Sequence, residues 1–162
     1  MEQSQSTIQP VAAIDNTELF SPADVELLAI PPSKVDEIWW LASSQLELAL
    51  SRTQKATLDS IYERLLGGEA QLWMAFLPKA NRILCSCVTD LMKWESGHIT
   101  CRVLLVGGGR IELWRNLIRQ LEAYAIREGA EAMEVIGRKG WERIFSREGY
   151  THAETTITKE LD

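Results

Sequence analysis

The spacing of hydrophobic residues changes along this chain, and each change indicates a different kind of element. Between residues 34 and 66 the apolar positions recur every three or four residues, which predicts two amphipathic helices, over 34–50 and 57–66. From residue 71 onward, short apolar runs alternate with turn residues, which predicts three strands, over 71–77, 82–94 and 99–106. Because short links join these strands, we expect an antiparallel meander.

The pattern on either side of the meander completes the prediction. After the glycines at 107–109 it predicts a long helix, a strand, a short helix and a final Thr-rich strand, over 111–128, 132–136, 139–147 and 151–161. Before the meander, Ser21 and Pro22 resemble a helix start, so we expect a helical turn over 24–29. These elements predict an N-terminal arm, residues 1–32, and one α/β domain, residues 33–162.

Two C-terminal segments carry a resemblance to a known family. Residues 117–130, LIRQLEAYAIREGA, are similar to the long helix of GCN5-related N-acetyltransferases (GNATs), and residues 144–150, IFSREGY, resemble the segment before that family's last strand. With the element order, the resemblance covers roughly residues 33–162. It implies the α/β (α+β) fold of the family, which is a mixed, mostly antiparallel sheet flanked by helices.

The resemblance also implies where a cofactor would bind. In GNATs the arm of acetyl-CoA lies where the fourth strand parts from the fifth, and its diphosphate sits on backbone N–H groups at the start of the long helix. Free amides and the helix dipole favour an anion there, and glycines let the backbone approach it closely. The positions in this chain that match that seat are Val106, Gly107, Gly108, Gly109 and Arg110.

Several residues depart from the family pattern. Glu112 places a carboxylate beside the implied diphosphate, and Trp114 crowds the first helical turn. Phe145 stands where the family has a proton-donating tyrosine, and a phenylalanine ring has no proton to give. Arg138 is either a phosphate anchor or a solvated loop residue. We therefore predict no catalytic residue and no cofactor. The alternative is an active N-acetyltransferase that acts on an unknown amine, and its cofactor would be acetyl-CoA.

Four acidic or imidazole side chains are candidates for a general base in that alternative. Glu95 and His98 come first because they lie at the turn between two central strands, although polar residues occupy hairpin tips by default. Asp90 and Glu134 are weaker candidates.

A narrower likeness concerns residues 138–143, RKGWER, and the terminal TITKEL at 156–161. These segments resemble small GNAT-like proteins encoded among bacteriophage and prophage structural genes. The likeness implies a non-catalytic role in virion assembly or in the virion, through contacts with phage structural proteins or with copies of itself. Trp39 and Trp40 are the candidate interface, because neighbours on a helix point about 100° apart and cannot both face one core.

Composition narrows the remaining classes. The net charge is −6, with −7 in residues 1–70 and +1 in residues 71–162, so we expect no nucleic-acid partner. No apolar run reaches the roughly 20 residues of a membrane span, and we expect a cytoplasmic location, in a host cytoplasm or a virion if phage-encoded. The three cysteines, Cys85, Cys87 and Cys101, are expected to be small buried hydrophobes rather than metal ligands.

Overall fold

The computed structural model describes residues 9–10, 19–51, 55–138 and 140–161. Its strands are β1 Gln9–Pro10, β2 Glu26–Ile30, β3 Gln71–Leu77, β4 Arg82–Lys93, β5 Ile99–Gly108 and β6 Ala132–Val135. Its helices are α1 Val35–Leu50, α2 Leu58–Leu66, α3 Ile111–Trp114, α4 Ile118–Arg127 and α5 Gly140–Phe145. Short 3-10 turns lie at Pro22–Asp24, Pro32–Lys34, Pro78–Ala80, Arg115–Leu117 and Ser146–Glu148.

The strands form one mixed sheet in the order β2-β3-β4-β5-β6. The pairings from β2 to β5 are antiparallel, whereas β5 and β6 are parallel, and the two residues of β1 pair in parallel with the start of β4. The predicted meander of three strands is therefore confirmed. So is the predicted fold class, a mixed and mostly antiparallel sheet flanked by helices.

Helices cover the two faces of the sheet separately. Because side chains alternate along a strand, β3 sends Leu72 and Met74 toward α1 and α2, and sends Trp73 toward α4 and α5. The first face is packed by residues such as Leu46 and Leu65, which are almost completely buried. The domain thus has three layers, and any site at the edges of β5 has a different helical layer on each side.

The predicted helical turn over 24–29 is wrong. The Ser-Pro signal produces only the 3-10 turn Pro22–Asp24, where the backbone N–H of Ser21 donates to the Asp24 carboxylate at 2.9 Å. The next residues form strand β2, in which Leu28 pairs with Met74. A whole ladder of hydrogen bonds to β3 outweighs a local preference for one turn of helix.

The C-terminal third differs from its predicted elements in two respects. The long helix is broken by the 3-10 turn Arg115–Leu117, whose three-residue repeat keeps Trp114 and Leu117 on the same buried face. The strand predicted over 151–161 is wrong in this structure, because those residues are exposed and form no ladder with any described strand. Alternating Thr residues favour a strand, but a strand exists only with a partner.

Candidate functional site

The parallel strands β5 and β6 part in the middle of β5. Their last paired residues are Val103 and Val135, and the Ile136 N–H still donates to the Val103 carbonyl at 3.0 Å. Beyond this point β5 continues to Gly108, and no strand among the described residues pairs with its β6 side. Buried amides without a partner are costly, so such a stretch of backbone is suited to binding a ligand.

A β-bulge lies at the same place. Thr89 of β4 pairs with Val103 and Val88 pairs with Leu105, so Leu104 is an extra residue without a partner on β4. A bulge bends its strand and increases the local twist. Leu104 therefore helps to turn the second half of β5 away from β6, and we refer to the resulting gap as the opening.

An apolar cavity of about 40 Å³ lies between the sheet and helices α3 to α5, on one side of the opening. Its walls include Cys85 and Cys87 of β4, Val103 and Val106 of β5, and the buried ring of Phe145. Burial raises the pKa of Cys85 to about 12 and the pKa of Cys87 well above its usual range. Both thiols stay protonated at neutral pH and behave as small apolar groups.

The side chain of Trp141 bridges the opening. Its ring centroid lies 6.4 Å from that of Trp114 on the β5 side, and a Cβ atom on Gly137, which follows β6, would lie 2.6 Å from its ring. The ring also stacks on Phe145 at 5.6 Å, and the Arg138 guanidinium carbon lies 5.6 Å from its centroid on the exposed side. A ligand that enters the opening must therefore displace this half-buried indole.

The predicted seat at Val106 to Arg110 has a different structure from the glycine loop that the resemblance implies. Val106, Gly107 and Gly108 belong to β5, and a Cβ on Gly107 would meet the Gln45 carbonyl oxygen of α1 at 1.9 Å. A Cβ on Gly108 would meet the Leu84 carbonyl oxygen of β4 at 2.2 Å. These two glycines are thus required by close packing within the chain. Gly109 follows them and donates its N–H to the same Leu84 carbonyl at 3.1 Å.

The first turn of α3 contains a carboxylate, that of Glu112. Arg110 adopts the left-handed conformation, with φ of 56°, and its Nε donates to the Glu112 carboxylate at 2.5 Å. That hydrogen bond, followed by one from the Glu112 backbone N–H, lowers the pKa of Glu112. A diphosphate at the implied seat would therefore have to release Arg110 from Glu112, because the Arg110 guanidinium is already paired with that carboxylate.

No described tyrosine replaces the missing proton donor at Phe145. The Tyr150 ring packs on Phe145 at 5.8 Å, but its hydroxyl donates to Glu122 at 3.2 Å. Burial and the nearby Glu122 charge raise the Tyr150 pKa, so this phenol holds its proton at neutral pH. Tyr124 packs edge-on against Trp73, and burial raises its pKa as well.

On the opposite side of the sheet, three charged side chains line up one residue before the opening. Asp90 of β4 pairs with Arg102 of β5, and Arg102 pairs with Glu134 of β6, so the three lie on one face. Arg64 reaches the Asp90 carboxylate from α2 at 2.9 Å, which shows that this is the face covered by α1 and α2. We call Asp90, Arg102, Glu134 and Arg64 the charged row.

The charged row is held together by a buried carboxylate. The Asp90 side chain is 4% exposed and accepts two hydrogen bonds from Arg102, at 2.8 and 2.6 Å, besides the one from Arg64. Burial by itself raises the pKa of Asp90, but the two guanidiniums together outweigh it, and the pKa is lowered. Asp90 is therefore a charged anchor for two arginines, and such a carboxylate is a poor base.

The structure separates the four candidates for a general base into a pair far from the opening and a pair near it. Glu95 and His98 lie at the far end of β5, about 16 Å from the opening at 3.3 Å per residue, and His98 Nδ1 lies 2.6 Å from Glu131. The two candidates that were ranked lower, Asp90 and Glu134, are the ones near the opening. The sequence carried a signal for this, because Asp90, Arg102 and Glu134 are charges within apolar strands.

Trp39 and Trp40 point in different directions, as expected for neighbours on a helix. Trp39 packs against Tyr62 at 5.2 Å, whereas Trp40 is 58% exposed. Leu48 lies two turns further along α1 and is also exposed, with the polar residues Ser43, Ser44 and Glu47 between the two.

No helix in the part of the chain that the structure describes has the length and apolar character needed to cross a bilayer. No group of three or more His, Cys, Asp or Glu side chains in those ranges has an arrangement that could hold a metal ion.

Comparison with solved structures places this architecture among the GNAT acetyltransferase folds. An acetyltransferase from Trypanosoma brucei superposes with a TM-score of 0.59 at 17% identity, over 85% of this chain and 100% of that one. An aminoglycoside acetyltransferase from a soil metagenomic sample, in complex with sisomicin, gives 0.61 at 13% identity, over 86% and 96%.

Glucosamine-6-phosphate N-acetyltransferase from Arabidopsis thaliana gives a TM-score of 0.58 at 12% identity, over 85% of this chain and 99% of that one. No protein-family model matches the sequence, and a search of curated proteins finds no match either. The chain has the GNAT fold, and identities this low establish the fold alone.

Proposed function

We propose that this chain is an acyl-CoA-dependent N-acyltransferase that acts on an amine. One observation carries the proposal: β5 and β6 part directly after Val103, next to the bulge at Leu104, between an apolar cavity and the charged row. The backbone of β5 beyond Val103 is thereby available to a ligand from the β6 side. The acetyltransferase names of the structural neighbours with this fold support the same reading.

In this proposal the chain promotes acyl transfer mainly by positioning the acyl-CoA and the amine. A bound acyl-CoA supplies an acyl group that is activated as a thioester. The chain's part would be to hold the acyl-CoA arm beside residues 104–108 and to exclude water with the buried Phe145. Arg138, and Arg110 once it is released from Glu112, are cations beside the opening that would hold phosphate groups.

The proposal is tested by calorimetry with acetyl-CoA on three proteins. We expect weak binding to the wild-type chain, because the ligand must displace the Trp141 indole. Trp141→Ala removes that indole, so it should bind about tenfold more tightly. Trp40→Ala is the matched control, since it removes an exposed tryptophan from the other helical layer and should bind like the wild type.

One result of this titration would disprove the proposal. If neither the wild-type chain nor a folded Trp141→Ala variant gives heat with millimolar acetyl-CoA, the opening is not a cofactor site. Thermal melting shows whether the variant is folded. Gly108→Glu is unsuitable as a test of the seat, because a side chain at Gly108 collides with β4 whether or not a ligand binds.

A second candidate is a non-catalytic, phage- or prophage-type protein that acts in virion assembly through protein contacts. The non-catalytic part of this candidate is favoured by Glu112 at the helix start, Trp141 across the opening and Phe145 in place of a tyrosine. Its contact surface would be the outer face of α1 around the exposed Trp40.

Sedimentation analysis of the wild-type chain and a Trp40→Ser variant, alone and with candidate virion proteins, tests this candidate. We expect a complex or self-association that Trp40→Ser weakens without changing the melting temperature. A wild-type chain that stays monomeric in every mixture argues against it.

A further inference from the structure

The charged row has N–H donors that no other residue in the described part of the chain uses. A guanidinium has five N–H groups, and in the described part of the chain those of Arg64 and Arg102 hydrogen-bond only to Asp90. The nearest further carboxylate to Arg64 is that of Glu69, whose oxygen lies 4.0 Å from the Arg64 Nε and whose side chain is 72% exposed. Both arginine side chains are partly exposed, at 33% and 21%.

The two arginines of the charged row lie on the side of α2 and β5, and its second carboxylate, that of Glu134, lies on β6 next to the opening. Asp90 and the two arginines together carry +1, and Glu134 lies on the far strand beside Arg102, where its charge acts on that guanidinium. An incoming amine therefore meets a carboxylate on β6, next to the opening. A group attached to the amine meets guanidinium N–H groups on the α2 side, and a guanidinium fork matches the geometry of a carboxylate or a phosphate.

We propose that the acceptor is an amine that also carries an anionic group, a carboxylate or a phosphate, which binds to the free N–H groups of Arg64 and Arg102. This inference rests on the proposed acyltransferase function and adds the substrate class to it. Arg64 is the specificity-determining residue in this proposal. Asp90 is a positioning residue, because it fixes both guanidiniums and does not itself touch the acceptor.

The test compares matched acceptors that differ only in the anionic group. Alanine is paired with alaninamide to probe the carboxylate, and O-phosphoethanolamine with ethanolamine to probe the phosphate. Binding to the full chain is measured by calorimetry without any cofactor, and acyl transfer from acetyl-CoA is measured with the same four compounds. We expect one anionic member to bind about tenfold more tightly than its neutral partner.

Arg64→Gln should abolish that preference while leaving the protein folded, because Asp90 keeps its two hydrogen bonds from Arg102. Arg64→Lys should restore part of it, since the charge remains and the fork is lost. Arg119→Gln is the control: it removes a different ion pair, with Glu148 at 2.9 Å on the other helical layer, and should leave the preference unchanged.

The outcomes separate this inference from the proposed function. Acyl transfer that proceeds equally well with the anionic and neutral members overturns the inference and leaves the acyltransferase standing. A preference that survives Arg64→Gln also overturns it. Failure of all four compounds both to bind and to accept an acyl group overturns the inference alone, because the proposed function is decided separately by the acetyl-CoA titration of the wild-type and Trp141→Ala proteins.

Discussion

Strand β5 packs closely against α1 at Gly107, and the substitution Gly107→Ala tests the importance of this contact. The added Cβ would lie 1.9 Å from the Gln45 carbonyl oxygen and 2.6 Å from its carbon, both in the backbone of α1. An ordinary van der Waals contact begins near 3.4 Å, so α1 and β5 must separate by about 1.5 Å. No side-chain rotation relieves the clash, because only backbone atoms are involved.

The cost follows from what such a separation disturbs. Gln45 is buried, donates to the Ile83 carbonyl at 3.0 Å and accepts from Ser86 at 2.5 Å, and Leu46 beside it is fully buried against the sheet. Overpacking a core costs about 1–3 kcal/mol, and each strained hydrogen bond adds about 1 kcal/mol. We therefore expect Gly107→Ala to lower the free energy of unfolding by about 2–4 kcal/mol.

The assay is chemical unfolding followed by tryptophan fluorescence, with the midpoint and slope fitted for both proteins. Gly140→Ala is the matched control, because a Cβ at Gly140 meets nothing within 4 Å, and its effect should stay within about 0.5 kcal/mol. A Gly107→Ala protein as stable as the wild type would refute the argument that α1 rests directly on the β5 backbone.

Two further predictions concern buried ionisable groups. Burial raises the pKa of Cys85 to about 12, that of Cys101 to about 11 and that of Cys87 well above its usual range. A chromogenic disulfide reagent near pH 8 should therefore label no thiol quickly until the chain is unfolded. Rapid labelling of the native chain would contradict this prediction. Asp90→Asn should cost about 2–3 kcal/mol at neutral pH, less than a fully buried pair because both arginines are partly exposed. Because the folded Asp90 pKa is lowered, its contribution exists above the ordinary carboxyl pKa of about 4 and is lost as the pH falls through the folded value. Urea titrations at several pH values should show the gap between the two proteins closing in acid, and a constant gap would disprove the assignment.

Sequence reasoning succeeded where one local pattern decides one element. The three- and four-residue spacing predicted α1 and α2 to within a few residues, because a helix needs only its own hydrogen bonds and one apolar face. The same reasoning predicted β3 and β4, whose apolar runs end at turn residues, and the burial of all three cysteines. It also predicted that one of the two adjacent tryptophans would be exposed, which is Trp40.

Sequence reasoning failed where an element depends on a partner that is distant in the sequence. Strand β2 exists because β3 pairs with it, and Gly107 and Gly108 extend β5 because α1 and β4 lie against them. Nothing within residues 107–110 separates such a strand end from a phosphate-binding loop, since both require glycine for close approach. The distances of the candidate bases from the opening could not be predicted for a related reason, because position along a strand does not show where two strands part.

The sequence by itself determined the order of helices and strands from α1 to α5 and the GNAT-like architecture, because periodicity and turn residues act over a few neighbours. Only the tertiary structure decided the contents of the opening. Trp141, Glu112 and the charged row come from segments far apart in the chain, and the tertiary structure places them around the point where β5 parts from β6, beside the bulge at Leu104.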